Sequence, residues 1–69
     1  MQGKVTLWKE SQGYGFIQAD DGREVFFNRS GLVGRNEAYI GDRVTFELGT
    51  NPRIGRELAT AVRVIKAAA

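Results

Sequence analysis

The chain has 69 residues, 42% of them hydrophobic and 26% charged, with a formal net charge of +2, a composition that suits one small folded domain and not a disordered tail. Cysteine and histidine are both absent, which excludes a disulfide framework, a thiolate nucleophile, the commonest zinc ligands and the usual general base near neutral pH. No metal site, cofactor or enzymatic activity is expected, and with no apolar run approaching a membrane span a cytoplasmic protein is the expectation.

Taken in chain order, Val5 to Lys9, Tyr14 to Ala19 and Glu24 to Asn28 are rich in β-branched and aromatic residues and predict three closely spaced strands. Asp20-Asp21-Gly22 supplies the Asp-Gly pair of a tight hairpin between the second and third; its two acids are turn residues before they are metal ligands. Gly13 and Gly15 bracket Tyr14 and predict a bent or closely packed strand. From Arg29 to Gly41 the spacing predicts a long connection with room for one short helical turn. Arg43 to Leu48 alternates, with Val44, Phe46 and Leu48 on one face, and predicts a fourth strand. A Gly/Pro loop carrying Arg53 and Arg56 leads to a fifth strand over Leu58 to Ile65. Residues 1–66 then form one domain, and Ala67 to Ala69 a short tail expected to fray. The expectation is an all-β, five-stranded antiparallel barrel, with an SH3-like barrel as the structural alternative.

The placement of the aromatic residues carries the functional information. A period of two puts Tyr14 and Phe16 on one face of their strand and Ile17 on the other; in the next strand it groups Val25 with Phe27, and Phe26 with Asn28. Burying Ile17, Val25 and Phe27 leaves Tyr14, Phe16, Phe26 and Asn28 side by side on the outer face, and a contiguous exposed apolar patch marks an interaction site. Nucleic-acid bases stack on such rings for about 1–3 kcal/mol each, whatever their sequence.

Gln12-Gly13-Tyr14-Gly15-Phe16-Ile17 followed by Val25-Phe26-Phe27-Asn28 resembles the two ribonucleoprotein motifs of the cold-shock domain family, approximately Lys-Gly-Phe-Gly-Phe-Ile and Val-Phe-Val-His. Gly3-Lys4-Val5, Gly41 to Phe46 and Ala59 to Val62 are similar to further landmarks, so that the likeness spans nearly the whole chain. The resemblance implies an oligonucleotide-binding (OB) barrel that binds single-stranded RNA and DNA with low sequence specificity, as an RNA chaperone or gene-expression regulator. It places Tyr14, Phe16 and Phe26 at stacking positions.

Several positions depart from the family pattern. Gln12 replaces a lysine, Asn28 replaces the second-motif histidine, and Arg29 stands where a further phenylalanine commonly follows, offering a planar group that stacks on a base or pairs with phosphate. The family's Trp-Phe pair appears as Leu7-Trp8. Strict alternation from a buried Val5 sends Leu7 inward and Trp8 outward, where a change in strand bend would let the indole take up a stacking role; a Trp8 that plugs the barrel is the equal alternative. Tyr39 is the only ring in the long connection and either touches ligand or packs beside the barrel.

Lys4 and Lys9 flank the first strand, and with Arg29, Arg53 and Arg56 they are candidates for a phosphate path, with a binding slope of about −2 to −3 against log salt. The candidate nucleic-acid-binding set is therefore Lys4, Trp8, Lys9, Tyr14, Phe16, Phe26, Asn28, Arg29 and Arg56. A monomer is expected, with dimerisation open. The competing reading is a barrel of the same fold whose altered face binds a partner protein or a second copy of itself.

Overall fold

The computed structural model describes residues 1–51 and 55–68, with the side chains of Asn51 and Arg56 outside the description. Five strands, β1 (Gln2–Lys9), β2 (Tyr14–Ala19), β3 (Glu24–Asn28), β4 (Arg43–Asn51) and β5 (Arg56–Lys66), close into a barrel in the order β1-β2-β3-β5-β4. The limits of β2 and β3 coincide with those expected from alternation, whereas β1, β4 and β5 run further. A 3₁₀ turn over Arg29–Gly31 opens the long connection between β3 and β4.

Four of the five strand contacts are antiparallel, and β3 meets β5 in parallel at Phe26 opposite Leu58. The expected all-β, five-stranded antiparallel barrel is present, and its one parallel contact follows from arithmetic: directions that alternate around a ring of five must repeat once. Each strand has a neighbour on both sides, although β1 meets β4 only over Gln2 to Lys4 and β3 meets β5 at one register pair.

Along β2 and β3 one side chain in two enters the barrel, whereas register shifts interrupt the alternation on β1 and β5. Val5, Ile17, Val25, Phe27, Val44, Phe46 and Val62 fill the interior, and Phe27 and Ile17 are completely buried. For a chain this short the compact filling matters, because its small interior leaves little surplus stability.

Register shifts interrupt β5 against β4, and within one of them Ala61 adopts φ +50°. The left-handed region brings a β-carbon against the following carbonyl oxygen, and glycine avoids that contact. Ala61→Gly is therefore expected to raise stability by about 0.5–1 kcal/mol, read as a higher denaturation midpoint with an unchanged slope.

Asp42, completely buried, knits the base of the long connection together. Its carboxylate accepts the N–H groups of Tyr39 at 3.0 Å and Ala68 at 2.7 Å. The C-terminal segment expected to fray is thus tied through Ala68 to the start of β4.

Candidate nucleic-acid interface

Pairing of β1, β2 and β3 arranges the outer surface in three rows. Lys4, Gln18 and Glu24 form one; Leu7, Phe16 and Phe26 the next; Lys9, Tyr14 and Asn28 the third. Directly opposed residues in an antiparallel pair project from the same face, so register alone brings the three expected rings together. Tyr14 and Phe26 lie 5.6 Å apart at 30°, Phe16 meets Phe26 edge-on at 5.8 Å, and Tyr14 meets Phe16 edge-on at 6.4 Å. All three are half-buried. Ring contacts of this geometry hold side chains in place, so the outer face presents an ordered aromatic surface.

The interior side of the same strands explains the glycine between two rings. A β-carbon on Gly15 would collide with the Leu7 carbonyl oxygen and lie 3.0 Å from Phe27 and 3.1 Å from Trp8. Only hydrogen fits there.

Trp8 is the correction to strict alternation. The register passes from Val5 opposite Ile17 to Leu7 opposite Phe16, leaving Thr6 as the extra residue of a bulge, with its hydroxyl donating to the Phe16 carbonyl at 3.4 Å. The bulge reverses the parity of everything after it. Leu7 thereby joins the outer aromatic row, and Trp8 falls opposite Gly15, where the missing side chain makes room. Its indole stacks on Phe27 at 5.5 Å and 15°, packed against the core and half-buried. The indole N–H has no hydrogen-bond partner among the described residues. Leu7 is the outer-face residue that alternation missed, because the register shift that exposes it depends on the pairing of β1 with β2.

The remaining candidates separate. Lys4 and Lys9 are exposed at the two ends of the β1 side of the face, and neither forms an ion pair among the described residues. Asn28 lies opposite Tyr14 and accepts the Ser30 hydroxyl at 2.6 Å. Arg29 donates to two backbone carbonyls, of Glu10 and Asn36. Arg56 begins β5, but its side chain, like all of Arg53, lies outside the described residues. Tyr39 is 57% exposed and lines an open cleft of about 760 Å³ together with Arg29, Arg35 and Glu37.

Beside this rim the Glu10 carboxyl is raised above its usual range, chiefly by a hydrogen bond to the Glu37 carboxyl, then by that group's charge and slight burial, with Arg29 opposing. The folded chain holds this proton more tightly than the unfolded chain does. The resulting stabilisation is complete below the ordinary glutamate pKa and is lost as pH rises through the raised one. Asp21 has the opposite sense. The Arg23 backbone N–H, and then its side chain, hold Asp21 below its usual range, so its contribution is lost only as pH falls through that lowered value. Glu10→Gln is expected to flatten the decline in thermal stability that sets in as pH rises above the ordinary glutamate range. A variant whose melting temperature falls with pH as steeply as the wild type would contradict the shared proton.

A small closed barrel with an aromatic outer face and flanking lysines is the architecture of an oligonucleotide-binding domain. The family described as 'Cold-shock' DNA-binding domain matches residues 1–65, and the chain belongs to that family of nucleic-acid-binding domains. No curated protein gives a significant match beside it.

Proposed function

We propose that this domain binds single-stranded RNA or DNA by stacking bases on Tyr14, Phe16 and Phe26, with low sequence specificity, and serves as an RNA chaperone or gene-expression regulator. The observation that carries the reading is the contiguous cluster of three rings on the outward face of β2 and β3. Such rings accept any base, because every base has a π face, and this favours low specificity. The exposed side chains of Lys4 and Lys9 favour a phosphate path along the β1 side of the face, with Arg56 as a further cation offered by the sequence, and the domain acts as a monomer in the cytoplasm.

Anisotropy titration of labelled oligothymidine at several salt concentrations tests this. Binding is expected to weaken with salt along a slope of about −2, from roughly three phosphate contacts at about 0.7 each. No affinity at low salt, together with concentration-dependent sedimentation, would replace the reading with a self-associating barrel. The label belongs on the oligonucleotide, because Trp8 stacks on the core and reports the face only indirectly.

A further inference from the structure

Arg29 follows directly on the third row of the interface, and its side chain is committed within the protein. Its Nε–H donates to the Asn36 carbonyl at 2.8 Å and a terminal N–H to the Glu10 carbonyl at 2.7 Å. Glu10 lies in the turn between β1 and β2, whereas Asn36 lies in the connection between β3 and β4. The guanidinium carbon also sits 5.7 Å from the centre of the Trp8 ring. Its own backbone N–H donates to the Gly13 carbonyl at 2.7 Å, and a β-carbon at Gly13 would approach the guanidinium to 3.4 Å. One side chain therefore spans a turn, a loop and an indole.

The chemistry favours this use of arginine. A planar guanidinium offers donors in fixed, divergent directions and a flat face for an aromatic ring, whereas lysine presents a single compact ammonium. The two carbonyls belong to segments distant in sequence that share no strand pairing. Both border the end of the aromatic face where Tyr14 stands opposite Asn28.

We propose that Arg29 is a positioning residue. It locks the β1–β2 turn to the β3–β4 connection around Trp8, and so holds the Tyr14 end of the stacking face in its binding geometry without itself contacting a phosphate. The binding half of this statement rests on the single-strand reading above.

The test crosses charge against shape. Arg29→Lys keeps the charge and loses the divergent donors; Arg29→citrulline, accessible by chemical ligation in a chain this short, keeps Nε–H, one terminal amide and planarity but loses the charge. Arg29→Ala loses all of them. For a positioning role, the alanine and lysine variants bind oligothymidine about five- to tenfold more weakly with an unchanged salt slope, and citrulline binds within about twofold of wild type. In the free protein, hydrogen exchange at the Gly13 amide, which donates to the Lys9 carbonyl at 2.8 Å, accelerates in the alanine and lysine variants and not in the citrulline variant.

Rescue by lysine but not by citrulline, with the alanine slope shallower by about 0.7, would make Arg29 a phosphate contact and overturn the proposal. So would exchange rates and affinities unchanged in all three variants. Wild-type protein that binds no oligothymidine would remove the proposed function itself, and with it the binding half; the locking role would then stand or fall on exchange alone.

Discussion

Phe16→Ala and Phe26→Ala are each expected to weaken oligothymidine binding by about 1–3 kcal/mol, between about fivefold and 150-fold, without changing the salt slope. The two rings touch edge-on at 5.8 Å and share Tyr14 as a neighbour, so the double variant should not be a simple sum. Truncating either ring also loosens the surface on which the other presents its face. Folding should survive, because the rings stand outside the barrel and the interior is filled by Ile17, Val25 and Phe27. Leu7→Trp tests the same surface in the opposite direction. Leu7 lies opposite Phe16 in the ring-bearing row, so an indole there is expected to tighten binding by up to the same amount per base stacked. Affinity unchanged by both alanine substitutions would show that nucleic acid binds elsewhere on the barrel.

Gly15→Ala is expected to produce the largest loss of stability of any single methyl addition proposed here. The new carbon would collide with the Leu7 carbonyl oxygen and press on Phe27 and Trp8 at 3.0 and 3.1 Å. A backbone oxygen held in a strand pair cannot turn aside as a flexible side chain would, so the cost should reach about 3 kcal/mol or more. Set against a total of about 3–10 kcal/mol for a chain this size, that lowers the melting temperature by about 15 °C or leaves the domain largely unfolded. Gly22 is the control. It lies at φ +94° in the β2–β3 hairpin with nothing within 4 Å of an added carbon, so alanine there meets only backbone strain of about 1–2 kcal/mol. Thermal melts of the two variants should therefore differ clearly. Equal losses would mean that the close passage of β1 over Gly15 is not what holds this position.

Residues 14–28 were legible because every signal in them is local. The Asp-Gly turn sets the pairing of β2 with β3, and alternation then leaves one consistent choice of faces, with Ile17, Val25 and Phe27 inside and Tyr14, Phe16 and Phe26 outside. The length and composition of the remaining segments were enough for five strands in a barrel. The parallel meeting of β3 and β5 was not stated by any local pattern; it follows from closing an odd number of strands.

What the sequence determined by itself is this platform, together with the number of strands along the chain. Tertiary structure decided what borders the platform. On β1, a one-residue bulge at Thr6 exchanged the faces of Leu7 and Trp8, because an indole opposite Gly15 finds space and the flat face of Phe27, while a leucine beside Phe16 leaves the strand pairing intact. At Arg29, residue type suggested a ligand contact, but the carbonyls of Glu10 and Asn36 reach the guanidinium only after the barrel has closed. The distinction is one of range: period-two patterns and turn residues act through neighbours in the chain, whereas a bulge or a side-chain strut is selected by groups that only the fold brings near.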